Sequence, residues 1–150
     1  MRTVVITVLF AFPVFAQQPQ SHSCTPAPKT QRTIMESMNL HINMSNPVKA
    51  LTGIVSYGGE IDMSPAGGVL VEIFPARKAE NWYPGDPKHR RKRLHACFTG
   101  ANGSFEFNVP SGFYYIVASE KNYKTTTALV LINRRRGEAK PLIVPLEVGM

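Results

Sequence analysis

The chain has 150 residues, a formal net charge of +7 and a 43% hydrophobic composition, with only two cysteines. That length and apolar content support one domain of ordinary size and exclude a wholly disordered chain. The basic balance bears on partners and solubility, not on fold.

Residues 1–16 read as a secretory signal. Arg2 gives the positive start, Val4–Phe15 the apolar run, and Val14-Phe15-Ala16 a small-residue cleavage site. The run is shorter than the roughly 20 residues a membrane span needs, so no transmembrane span is expected after cleavage. Export to the periplasm or the extracellular space follows. Ser21-His22-Ser23 ahead of Cys24 is unlike the segment preceding a lipidated cysteine.

Residues 17–37 are rich in Gln, Pro and Ser and nearly free of apolar side chains up to Thr33. Such a segment cannot offset its own ordering entropy, and a flexible tether is expected. Over 38–47, Met38, Leu40, Ile42 and Met44 alternate with polar residues. The alternation favours an extra strand over a short helix through Ile34–Met38.

From residue 48 to 150 the pattern is β throughout. Gly53–Tyr57 makes a first domain strand, and Gly58-Gly59 breaks it. In Val69–Phe74, Val69, Val71 and Ile73 share one face, while Leu70 and Phe74 flank Glu72 on the other. Residues 76–88 form a long polar connection carrying Trp82-Tyr83-Pro84-Gly85. The central stretch, Leu94–Tyr123, is the most explicit. Asn102-Gly103 is a hairpin signal of the two-residue type I′ kind. After it, Phe105, Phe107 and Val109 alternate with polar residues, and a third strand runs from Phe113 to Ser119. Thr125–Asn133 and Pro141–Val148 supply the last two. About seven short strands at regular spacing indicate an all-β fold, a roughly seven-stranded antiparallel β-sandwich.

Thr99-Gly-Ala-Asn-Gly-Ser-Phe-Glu-Phe107, Val109-Pro-Ser-Gly-Phe-Tyr114, Ala118-Ser119 and Tyr123 resemble the carboxypeptidase regulatory-like domains of secreted bacterial proteins. Leu51–Val55 and Gly68–Ile73 resemble the same family's opening strands, so the likeness spans roughly 48–148. It departs at Gly100, where the family commonly has Asp. The resemblance implies a transthyretin-like sandwich that assists other proteins or binds ligands and has no active site.

Catalytic signatures are absent: there is no H-E-x-x-H, no G-x-S-x-G and no Gly-rich phosphate loop. No cofactor is implied, and the chain reads as a non-enzyme. His22 and His89 sit in a tail and a basic run. His95 and Cys97 share a strand face, yet no third metal ligand is evident and none is assigned. For Cys24 and Cys97 two alternatives stay open: a disulfide, permitted by export, or a buried free thiol at Cys97.

The basic runs are the sharpest functional feature. Lys88, Arg90, Arg91, Lys92 and Arg93 form one, with Arg134, Arg135 and Arg136 at a later turn. In a strand-like segment, alternation divides the first run between two faces. Protection of a sheet edge is one reading. A patch for an acidic glycan, a lipid headgroup or an acidic envelope protein is the other. Nucleic acid ranks below these, because the chain leaves the cytoplasm and shows no nucleic-acid-binding motif. Trp82 and Tyr83 add two aromatics suited to stacking on sugars or partners, or to capping the core. The expectation is an exported, non-catalytic binding module, with a structural or assembly sandwich as the alternative.

Overall fold

The structure is a computed structural model and describes residues 24–30, 33, 39–43, 46–58, 64–77, 82–86 and 90–148. The signal segment 1–16, the start of the tether, and Lys88 lie outside the described residues.

The described residues hold ten strands and no helix. In chain order they are β1 Thr25–Pro26, β2 Asn39–Asn43, β3 Leu51–Tyr57, β4 Ser64–Pro65, β5 Leu70–Pro75, β6 His95–Phe98, β7 Ser104–Phe107, β8 Gly112–Ser119, β9 Thr125–Ile132 and β10 Leu142–Leu146. One sheet has six strands in the order β1-β6-β5-β8-β9-β2; the other places β3 between β10 and the pair β4 and β7. The fold is an all-β sandwich. It is mixed rather than purely antiparallel, because β10 runs parallel to β3 and β2 parallel to β9.

Strand periodicity builds the core. Val71 and Ile73 of β5, Ile116 and Ala118 of β8, and Ala128, Val130 and Ile132 of β9 point to one side of the six-stranded sheet. They meet Leu51 and Val55 of β3, Phe105 and Phe107 of β7, and Leu142, Val144 and Leu146 of β10. Each Val, Leu, Ile or Phe among them contributes about 1.5–3 kcal/mol on burial. Thr126 faces the same interior and donates its hydroxyl to the Pro145 carbonyl at 2.6 Å, a polar tie between the sheets.

The outer face of the six-stranded sheet is also covered. Phe74, Tyr115 and Val117 point outward and pack with Trp82 in a second apolar cluster. Every residue of β5 except Pro75 is therefore buried.

One sequence expectation needs correction here. The turn at Asn102-Gly103 is not of type I′. Gly103 N–H donates to the Gly100 carbonyl at 2.8 Å, and Gly100 N–H to the Ser104 carbonyl at 3.0 Å. Only Gly103 has positive φ, at 75°. This is a type I turn followed by a left-handed glycine. The strands it joins also do not pair as a hairpin: β6 pairs with β5 and β7 pairs with β3, so the turn carries the chain from one sheet to the other.

Of the tether expected over 17–37, residues 24–30 and 33 are described. Within its described part, Thr25 and Pro26 pair with Phe98 and Cys97, and Ala27 N–H donates to the Ala96 carbonyl at 3.0 Å. Cys24 and Cys97 form a disulfide with Cα atoms 5.6 Å apart. Thr25–Pro26 is thus an edge strand stapled to β6.

Candidate functional site

The first basic run approaches β6 in extended form. Leu94 N–H donates to the Ile73 carbonyl at 2.8 Å, carrying the β5–β6 ladder outward by one residue. The alternation that follows divides the run as its sequence implies: Arg90 and Lys92 are exposed, while Arg91 and Arg93 are partly buried.

Each inward arginine has a defined role. The Arg91 guanidinium lies 5.6 Å from the ring centres of both Trp82 and Tyr115, and its Nη1 donates to the Pro75 carbonyl at 2.9 Å. A cation over two aromatic faces is held electrostatically by their quadrupoles. Arg93 Nη1 donates to Glu72 Oε1 at 2.8 Å, and Nη2 donates to the carbonyls of Pro28 and Lys29 at 3.1 and 3.0 Å. The Glu72 side chain is 3% exposed and also accepts the Thr33 hydroxyl. A carboxylate so far from water requires partners of this kind.

Trp82 is brought over the sheet by the turn after it. Asp86 N–H donates to the Tyr83 carbonyl at 3.2 Å, and Gly85 has φ 88°. With Pro84 ahead of that glycine, the chain has the residues a type II turn requires. Trp82 is 3% exposed and stacks at 4.9 Å on Phe74 and 5.1 Å on Tyr115. It caps an apolar cluster, the second of the two roles its sequence left open. Tyr83, on the same turn, is 44% exposed.

Between the N-terminal segment, the Trp82–Asp86 turn and the 90–96 segment lies an open groove of about 1080 Å³. Lys29 and Arg90–Arg93 line it together with two acids, Glu72 and Asp86, and the apolar Phe74, Trp82 and Leu94. No hydrogen bond or ion pair engages Arg90 or Lys92 among the described residues.

The second run lies elsewhere. Arg134 Nη2 donates to Asn108 Oδ1 at 2.6 Å and to the Val109 carbonyl at 2.7 Å, and its backbone N–H donates to Ser111 Oγ. The backbone amides of Arg135 and Arg136 donate to Asn133 Oδ1. These residues share an end of the sandwich with the groove, since Ile132 is opposite Gly112 and Pro75 opposite Tyr114. From β6 to β9 is three strand spacings, about 14 Å. Arg134–Arg136 do not line the groove. Arg134 serves the loop before β8, where burial raises the Tyr114 phenol above its usual range and the Arg134 charge opposes that rise.

Cys97 is committed to its disulfide, and His95 sits 6.3 Å from the Phe107 ring. Among the described residues no group of three or more His, Cys, Asp or Glu could hold a metal. The sequence reading overlooked Glu72 and Lys29 as site residues. The signal for Glu72 was present: one acid between Leu70 and Phe74 on an apolar strand requires a buried partner, and the basic run offered one.

No family model and no curated protein matches the chain. Among solved structures, it is similar to 3-chlorocatechol 1,2-dioxygenase from Rhodococcus opacus 1CP. The TM-score is 0.39 at 10% identity, over 83% of this chain and 70% of that one. It is also similar to the dioxygenase domain of a dioxygenase–carbohydrate-binding protein fusion from Streptomyces sp. SirexAA-E. There the TM-score is 0.33 at 17% identity, over 85% of this chain and 97% of that one. Neither likeness bears on function at these scores.

Proposed function

We propose that the chain is an exported, non-catalytic binding module of the carboxypeptidase regulatory-like type. Its groove takes an extended anionic ligand, with acidic polysaccharide as the class that fits it best. The observation that carries this reading is the pair of exposed cations Arg90 and Lys92 lining the groove, neither engaged by a hydrogen bond or ion pair among the described residues. Two residues apart on extended backbone, they stand about 7 Å from each other. That spacing suits successive acid groups along one chain. Edge protection is the weaker reading of the run, because β1 and the Ala27 amide already pair with Ala96–Phe98 and leave little of the β6 edge open. Export rests on the signal-like residues 1–16 and the non-catalytic assignment on the missing catalytic motifs.

The test is binding of polygalacturonate by wild type and by Arg90→Glu/Lys92→Glu. Wild type binds at about 0.1 M salt and releases near 1 M, as the Debye length falls from about 10 Å to about 3 Å. The double variant loses binding while its stability stays within about 0.5 kcal/mol, since both side chains are exposed. Equal binding by the variant removes the groove as the site.

A further inference from the structure

The N-terminal wall of the groove is attached by a few directed contacts. Thr25, Pro26, Pro28, Lys29 and Thr30 are exposed, so the segment buries almost no apolar surface of its own. It is held by the Cys24–Cys97 bond, the two-residue pairing with β6, the Ala27 amide, and the Arg93 bonds to the Pro28 and Lys29 carbonyls. Those hydrogen bonds lie at the surface, where water competes for both partners. The covalent link makes the segment's effective concentration at the β6 edge high enough for them to persist.

We propose that the Cys24–Cys97 disulfide is a latch, and that its reduction releases residues 24–30 from β6 and dismantles one wall of the groove. The reductant is a dithiol. Its thiolate attacks Sγ of Cys24, which is partly buried, whereas Cys97 is 3% exposed. A mixed disulfide forms on Cys24, and Cys97 leaves as thiolate and takes up a proton. The second thiol of the reductant then closes its own disulfide and frees Cys24. The protein gains two electrons and two protons, which the dithiol loses. No other cysteine exists in the chain to exchange with. Release removes Lys29 from the groove, strips Arg93 of two carbonyl acceptors, and opens the Glu72 carboxylate to water. Positive charge is lost and a negative group uncovered, so a polyanion binds less tightly. This last step rests on the anionic-ligand reading above; the release itself does not.

Hydrogen–deuterium exchange on the full chain, oxidised and reduced with dithiothreitol, tests the release. The expected result is exchange on the order of tenfold faster across 24–30 and β6, unchanged protection in β8 and β9, and reversal on reoxidation. Cys24→Ser reproduces the reduced pattern and stands in if reductant disturbs the sample. Unchanged exchange at 24–30 overturns the latch. Polygalacturonate affinity is then compared in both states, with a loss of roughly fivefold or more expected on reduction. Equal affinity in a protein whose oxidised form binds overturns the effect on the groove. Absence of binding by the oxidised form overturns the ligand class and leaves exchange to decide the latch.

Discussion

Gly103 has φ 75°, and its carbonyl accepts the Val55 N–H at 2.9 Å. A Cβ there would run into the Val55 carbonyl oxygen and crowd the Ala66 amide, both backbone atoms that cannot swing aside. Gly103→Ala is therefore expected to destabilise the protein by about 2–3 kcal/mol, measured by urea unfolding. Wild-type stability would mean that the turn is not closed in this way. A second residue-scale expectation concerns Tyr57, whose hydroxyl donates to Glu120 Oε2 at 2.7 Å. Burial first, then the hydrogen bond and charge of Glu120, push its phenol up to about 12 from 10.0. The native state thus favours the neutral phenol. Its contribution to stability is complete below about pH 10 and is lost as pH rises from about 10 to about 12. Melting temperature should fall over that interval more steeply in wild type than in Tyr57→Phe; parallel curves for the two would remove Tyr57 as the cause.

At the scale of the element, β9 shows what alternation can and cannot convey. Thr126 faces the core and is satisfied, while Thr127 faces outward opposite Val117, is fully buried, and its hydroxyl has no hydrogen-bond partner among the described residues. Valine has nearly the same shape and the same β-branched fit to a strand. Thr127→Val should raise stability by about 1 kcal/mol, because an unsatisfied buried hydroxyl is removed. A loss instead would indicate that a bound water satisfies the hydroxyl. The faces of β5 and β7 were legible because a period of two needs only the local chain. The partner of each strand was not. Gly100–Gly103 suits a type I turn as well as a type I′ one. The type I form leaves positive φ to glycine alone, and the Asn102 side chain accepts the Ser104 N–H at 3.1 Å. Where the strands go after the turn depends on β3 and β5, which are distant in sequence.

For the whole molecule, the basic groove was legible as a cluster of charge and illegible as a place. Composition reads residues 17–33 as unable to offset their own ordering entropy, and of these Thr25, Pro26, Pro28, Lys29 and Thr30 are exposed. What holds them comes from 73 residues away in the case of the disulfide and 64–65 in the case of Arg93, beyond the reach of any local pattern. The same distance has a mechanical consequence. Strands β1 to β5 and most of β6 lie inside the covalent loop from Cys24 to Cys97, whereas β7 to β10 lie outside it. Tension applied between the two ends of the chain passes directly from Cys24 to Cys97 and leaves the looped strands unloaded once the sandwich has opened. In a single-molecule pulling experiment the oxidised protein should therefore reach its full extension about 260 Å short of the reduced one, at about 3.6 Å for each bypassed residue. An oxidised chain that stretches as far as the reduced one would show the bond unformed. Under load, this sandwich behaves as a short extensible thread tied to a knot that only a reductant can undo.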